Sequence, residues 1–382
     1  MISGKNILII SSKSAEYGGV EKHVLDLVKG FSFANKVYVM CPNGPLSKQY
    51  KKNGAIVINK VPKNAYDLKF SLYVKNFCKD QYIHIAHAHE LISSLGLFGA
   101  FLSKVPVRVF HVHTPFIFWK YPNIVLKVIK TVPNWLVNFI TANIFATKVI
   151  ALTPEIKKHR IFYEFILPKK IVVIPNAINI SYFSKKPSLS TIKKFKKEKG
   201  IPNNKVIIGN LSRTSAEKGQ DLLLKSFNKL NTEYPNKYFL VIAGGGELED
   251  SYRSYAKKHF PGSFYISGRF KDEEKKLYYG SFDFFVFPSR AEGFGYVLTE
   301  AMASKIPILS SDLPVLKRVG GRGVVFFKTN SEHSLYNKLL ELLRMPKKTL
   351  NKNIEISYNY LHRFSYESFI KNYSTVYSHT SL

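Results

Sequence analysis

Two glutamates eight positions apart, bracketed by glycines, are the residues of this sequence best placed to do chemistry. In PSRAEGFGYVLTEAMAS, Glu292 sits in a glycine loop and Glu300 falls inside the helix that the following residues predict. Gly293 and Gly295 let backbone approach a ligand closely, and the amide groups at the helix start suit anionic oxygen. Carboxylates beside that positive helix end can accept hydrogen bonds from sugar hydroxyls. Two glutamates in a helix can also be chance, but the glycines and the apolar run ending at Pro288 argue against it.

Arg213 and Lys218 lie in GNLSRTSAEKGQD, between an apolar run and a helix-forming one. A guanidinium fork and a compact ammonium suit a diphosphate, although in so basic a chain they also suit a solvated loop. Gly244, Gly245 and Gly246 follow YFLVI. They lack the dinucleotide spacing, and no P-loop lysine and hydroxyl follow, so they read as a tight turn lining a nucleotide pocket. Gly18 and Gly19 open a helix after the first strand, where amide groups could meet a phosphate or a transferring sugar; a plain turn is the alternative. Five of the eleven histidines fall in two segments: His84, His87 and His89 in IHIAHAHE, and His111 and His113 in FHVHTP. Zinc is a tempting reading, but no cysteine or carboxylate completes an obvious set. His84 and His87 read as core histidines.

The elements that must position these residues are short apolar runs alternating with helix-length segments. KNILIISS, KVYVMC, AIVINK, YIHIAHAH, VRVFHVH, KVIALT and KIVVIPN form a first series. The polar, lysine-rich INISYFSKKPSLSTIKKFKKEKGIPNN then reads as a linker leading into a surface helix. KVIIGNLS, YFLVIAGGG, FYISGRF, DFFVFPS and IPILSSD form a second series, again with helices between. Alternation of this kind predicts two α/β, doubly wound domains with parallel sheets, facing a cleft. The aromatic-rich YNYLHRFSYESFIKNYSTVYSHTSL predicts a terminal helix that needs a surface to cover.

At 382 residues the chain suits two domains, and 45% hydrophobic content excludes global disorder. No run of 18 apolar residues predicts a spanning helix. The opening MISGKNILIISSK reads as a strand rather than a secretory signal, and two cysteines support no disulfide framework, so a cytoplasmic setting is expected. The formal charge of +31 attracts polyanions, although a biased genome would also produce it. No nucleic-acid-binding signature accompanies it. FIFWKYPNIVLKVIKTVPNWLVNFITANIFATK, with Lys120, Lys127, Lys130 and Lys148, reads either as a basic amphipathic surface for an anionic membrane or as a core-facing helix pair.

GNLSRTSAEKG, VIAGGGELED, AEGFGYVLTEAMA and FSYESF, in that order, with GGVEKHV and VIPNAIN before them, resemble the retaining glycosyltransferases of GT-B fold, the family 4 group. The resemblance spans essentially the whole chain. It implies two Rossmann-like domains: residues 1–180, with 358–382 returning to them, on the acceptor side, and 181–357 binding the nucleotide sugar. By the resemblance Arg213 and Lys218 hold the donor diphosphate, Glu292 bonds the donor sugar and Glu300 the ribose. Backbone amides at Phe294 and Gly295 line the sugar and phosphate site, Gly19, Gly244 and Gly245 border the donor, and His113 contacts its sugar.

No metal or cofactor is implied, and a UDP-sugar is the favoured donor. The expected reaction is retaining, metal-independent transfer of a hexosyl-type sugar to a lipid-linked or cell-surface glycan precursor, lipopolysaccharide among them, by a cytoplasmic enzyme peripheral on the inner membrane face. A GT-B enzyme with a soluble acceptor, and a non-catalytic polyanion-binding relative, are the alternatives. Four positions depart from the family pattern: Lys305 stands for a usual glycine, Leu316 for an acidic residue, and Ala177 and Asn179 for Gly and Asp.

Overall fold

The computed structural model describes residues 2–12, 18–113 and 124–378, the side chains of 124–130 excepted. Lys120 and the side chains of Lys127 and Lys130 lie outside the described residues. The chain divides into two compact units, Met1–Ala177 with Tyr366–Leu382, and Ile178–Ser365.

In unit one, strands β1 (Asn6–Ser11), β2 (Lys36–Met40), β3 (Ile56–Ile58), β4 (Ile85–His89), β5 (Val107–His111), β6 (Lys148–Ala151) and β7 (Ile171–Val173) form one sheet. Its order is β3-β2-β1-β4-β5-β6-β7. Every pairing is parallel, for example Ile9 opposite Val39 and His87. Near-continuous apolar runs such as Ile7–Ile10 are what a strand covered on both faces requires. The helix Gly19–Phe31 buries Val24, Leu27, Val28 and Phe31 at helical spacing.

Unit two repeats the plan with β8 (Val206–Leu211), β9 (Tyr238–Ala243), β10 (Phe264–Ile266), β11 (Phe284–Phe287), β12 (Ile308–Ser311) and β13 (Val325–Phe327). The order is β10-β9-β8-β11-β12-β13, again parallel throughout. The short edge strand β13 lies in GVVFFK, a run that the sequence reading did not count among its strands.

Two expectations change. The linker leads into the expected surface helix, Leu189–Glu198, but it opens with a helix of its own at Ile180–Ser184. Asn179 caps the first of these by accepting from the Tyr182 N–H at 3.0 Å, and Phe183 is buried edge-on against Tyr279. The terminal segment is not one helix. Lys347–Tyr360 and a 3₁₀ turn at Leu361–Phe364 belong to unit two, where Phe364 packs on Phe294 and its carbonyl accepts from the Ile178 N–H. Only Tyr366–Ser378 returns to unit one, so the crossings fall at 177/178 and 365/366 rather than 180/181 and 357/358. That last helix buries Phe369, Ile370, Tyr373, Val376 and Tyr377 in the core of unit one. Truncating Phe369 to Ala should therefore cost about 3–5 kcal/mol, read as a fall in the urea midpoint; an unchanged midpoint would mean that the returning helix carries no stability.

Candidate functional site

In each unit the strand order reverses once, between β1 and β4 and between β8 and β11, and at such points loops diverge to leave room for a ligand beyond the carboxyl ends of the strands. In unit two the loop after β8 carries Arg213 and Lys218, and the loop after β11 carries Glu292. The structure brings Lys218 and Glu292 together: Nζ donates to Oε1 at 2.6 Å, and Ser289 Oγ donates to the same oxygen at 3.0 Å. Both side chains are largely shielded, 19% and 10% exposed, which strengthens their attraction. Arg213 is not part of this pair. Its guanidinium is 65% exposed and bonded to Glu217.

The two loops are stapled by a residue that sequence reading passed over. Arg290 donates to both carboxylate oxygens of Asp221 at 2.7 Å and to the Ala216 carbonyl at 2.7 Å, while its own N–H bonds the Glu217 carbonyl. A bidentate fork of this kind fixes direction as well as distance. Burial pushes the Asp221 carboxyl upward, but the hydrogen bonds and charge of Arg290 outweigh it and hold the group below the usual carboxylate range. Gln220 Nε2 further ties Ser212 Oγ at 2.7 Å and the Arg213 carbonyl at 2.9 Å.

Gly244 follows β9 at φ +140°, where a Cβ would collide with the Ser212 carbonyl, so this turn packs backbone to backbone against the Arg213 loop. The Gly245 carbonyl accepts from the Thr214 N–H at 3.2 Å in the same contact. Gly295, at φ +91°, opens the helix Tyr296–Ala303, whose amino-terminal amides are presented at the Glu292 loop. Phe294 does not face outward: its ring is 2% exposed and wedged between Tyr296 and Phe364. Leu316 lies beneath Gly295, 2.7 Å from where a Cβ would stand, so its departure from the family pattern serves packing. Lys305 turns its ammonium to Glu355 at 3.1 Å and over the Tyr358 ring.

Glu300 is enclosed, its side chain 1% exposed, with the Lys275 ammonium 3.6 Å from one oxygen. Tyr279 donates to the other at 3.0 Å. Burial opposes the Lys275 charge, yet Glu300 and Asp272 together hold the ammonium above the ordinary lysine value. Burial, then the charge of Glu300, drive the Tyr279 phenol well above its ordinary value and keep it a donor. Lys275 and Tyr279 lie one turn apart on the helix Lys275–Ser281; their i, i+4 spacing was the available signal.

In unit one, Gly19 begins its helix at the surface beside Gly18, and a Cβ on Gly18 would meet the Glu21 carboxylate. His87, His89, His111 and His113 converge with His23, which the sequence did not single out. His84 stands apart, its Nδ1 accepting from the Asn6 N–H at 3.1 Å. His113 is 6% exposed and stacks on His111 with centroids 3.8 Å apart. Its position is fixed from two sides. Arg160, fully buried with Glu164, donates to the Val112 carbonyl, and the His113 N–H donates to Glu90 Oε1 at 3.2 Å. Glu90 holds φ +65°, ψ 158°, a conformation costly for any side chain, and its N–H is pinned to the His111 carbonyl at 2.9 Å.

Comparison with known proteins places this geometry. The sequence profile of Glycosyltransferase Family 4 matches residues 17–182, and that of Glycosyl transferases group 1 matches residues 191–359. The α-monoglucosyldiacylglycerol synthase of Acholeplasma laidlawii is 25% identical over 364 residues, 89% of this chain and 88% of that protein. Among solved structures, a glycosyltransferase of Rickettsia africae superposes with TM-score 0.82 at 18% identity, covering 98% of both chains. Anabaena HepE, in complex with UDP and glucose, gives 0.80 at 19% identity, covering 98% of this chain and 99% of that one.

The enclosed carboxylate generates a test. Lys275→Met leaves Glu300 without its cation and should cost about 3 kcal/mol, whereas adding Glu300→Gln should restore most of the loss. A double-mutant cycle in urea with no coupling between the two positions would refute the pairing.

Proposed function

On the premise that this chain belongs to the family 4 glycosyltransferases of GT-B fold, we propose that it moves a hexosyl-type sugar from a UDP-sugar to a lipid-linked or cell-surface glycan precursor, with retention at the anomeric carbon. The observation that carries the reading is the Lys218–Glu292 pair at the strand-order reversal of unit two, held in place by Arg290 and Asp221. The UDP and glucose bound by HepE support the donor class, and the glycolipid name of the Acholeplasma relative supports the acceptor class.

The residues then have these parts. Arg213, exposed and adaptable, meets the incoming diphosphate. Lys218 exchanges Glu292 for a phosphate oxygen, which frees Glu292 to accept from a sugar hydroxyl. The amides at Phe294 and Gly295 and the turn at Gly244 and Gly245 border the phosphates, and Glu300 serves the ribose by exchanging the Tyr279 donor for a ribose hydroxyl. The bond from the anomeric carbon to the phosphate oxygen breaks while the acceptor oxygen bonds to that carbon on the same face. The acceptor proton passes to the departing phosphate. Negative charge growing on the nucleotide is met by Arg213, Lys218 and helix amides, so this step uses no metal ion.

The acceptor side rests on an exposed apolar surface of unit one. Phe162, Tyr163 and Phe165 are 69%, 65% and 62% exposed, and Trp135 links them to the helix Ile124–Ile140. Lys158 and Lys169 lie within the same stretch of sequence and suit an anionic interface, whereas Lys157 and Lys170 turn their ammonium groups onto backbone carbonyls. Among the described residues no helix is long and apolar enough to cross a membrane; the association proposed from the exposed aromatic surface is a peripheral one, on the cytoplasmic face.

Lys218→Ala should lower kcat about 100-fold, while Glu300→Gln should act mainly on the donor KM. Wild-type kinetics in both would refute the site. Proton NMR of the first product formed from an α-linked UDP-sugar should show an α-linkage, and a β-linkage would reject retention. Vesicles rich in anionic lipid should sediment the chain at low salt, and Phe162→Ser with Phe165→Ser should release it; equal binding by wild type and double variant would remove the membrane reading.

A further inference from the structure

Unit one buries five imidazoles against one another: His23 from the helix Gly19–Phe31, His87 and His89 from β4, His111 at the end of β5 and His113 just past it. None of the five is more than 6% exposed. Enclosing polar rings is costly unless their nitrogens find partners. Several do: His87 Nδ1 lies 2.8 Å from the Tyr377 hydroxyl, and His89 Nδ1 lies 3.1 Å from His113 Nε2. Among the described residues, however, Nε2 of His87, of His89 and of His111 has no hydrogen-bond partner. Two of these nitrogens, on His89 and His111, belong to one close grouping with His23, where a ligand would complete them.

We propose that His23, His89 and His111 bind a divalent transition-metal ion of the zinc class, as a three-histidine set with one position left for another ligand. One ring nitrogen from each lies within 4.8 Å of the other two. Metal–nitrogen bonds of about 2.0–2.1 Å require donors about 3.4 Å apart in a tetrahedral set, so ring movements of about 1 Å suffice. Neutral imidazole suits zinc, nickel, cobalt and copper, while the lack of oxygen donors in the set disfavours magnesium and calcium.

The outer contacts agree with this. His23 Nδ1 is 2.6 Å from Asn176 Oδ1, whose amide oxygen accepts the Nδ1 proton and leaves the Nε2 lone pair for the metal. A ligating histidine commonly has such a partner, because it fixes both tautomer and ring direction. The Tyr373 hydroxyl, 2.9 Å from His23 Nε2 and 3.4 Å from His111 Nδ1, borders the same space and yields the first contact when metal binds. Tyr373 belongs to the helix Tyr366–Ser378, so binding would tie that returning helix to the sheet. The grouping lies wholly in unit one and contains none of the diphosphate-binding cations, so it goes beyond the transfer reaction.

A buried water could satisfy the same nitrogens, and the experiment separates the two. The full chain, stripped with dipicolinate and titrated with Co²⁺, should bind about one equivalent and develop the strong visible bands of a low-coordinate imidazole site. Zn²⁺ should displace it and raise the melting temperature. His89→Gln and His111→Gln should weaken Co²⁺ binding at least about tenfold, and Asn176→Ala about 10- to 100-fold. His84→Gln, outside the grouping, should bind as wild type. The wild-type spectrum requires no variant to fold. If wild type shows no such bands, or if His89→Gln and His111→Gln, folded by circular dichroism, bind Co²⁺ as wild type does, the proposal is overturned and the cluster is hydrated instead.

Discussion

In a parallel sheet every strand ends at the same edge, and the whole chemistry of this chain depends on that constraint. A parallel neighbour cannot be reached by a hairpin, so each strand hands over to a helix and begins again from the opposite edge. Residues far apart in sequence are thereby delivered to one rim. In unit two, Lys218 after β8, Gly244 after β9 and Glu292 after β11 arrive there because β8 lies between β9 and β11. In unit one the same rule brings His89 at the end of β4 beside His113 just past β5.

Delivery to a rim does not by itself orient a side chain. The Arg290–Asp221 fork and the Gln220 contacts do that for the β8 loop, and neither is a ligand candidate on its own. The two ion pairs of the site differ in kind. Lys218 and Glu292 are shielded but reachable, so a diphosphate can compete for the ammonium. Glu300 is closed in by Lys275 and Tyr279, and taking such a carboxylate out of water rarely adds net stability. Its retention in an apolar helix is better explained by a polar task than by folding. Phe183, from the segment joining the units, packs on Tyr279, so even the connection helps to hold that carboxylate.

The fold was legible where burial leaves a continuous apolar run, as in Ile7–Ile10 and Phe239–Ile242. The edge strand β13 was passed over although it lies in the apolar run Val324–Phe327 and is no shorter than β3, β7 and β10, which were read. The break at Leu361–Phe364 was hidden because aromatic residues run through it on both sides. Within the site, the spacing of Glu292 and Glu300 stood out, since both lie in one loop-and-helix segment. Their partners did not, because Lys275 and Tyr279 precede Glu300 by more than twenty positions and meet it only in three dimensions. His23 escaped for the same reason: it reaches the strand histidines from a helix, and only packing joins the two. The departures at Leu316 and Asn179 turned out to be a packing contact and a helix cap.

The central claim is that the loops after β8 and β11 form a nucleotide-sugar site. It is tested most directly by the melting temperature of the purified chain against UDP, GDP, ADP, CMP and their sugars, with and without Arg213→Ala. A ligand of the folded state must raise that temperature by mass action, and the exposure of Arg213 makes this variant safe to fold. The account predicts a rise with UDP and a UDP-sugar that Arg213→Ala largely abolishes. No rise with any nucleotide, or an equal rise in the variant, would contradict it.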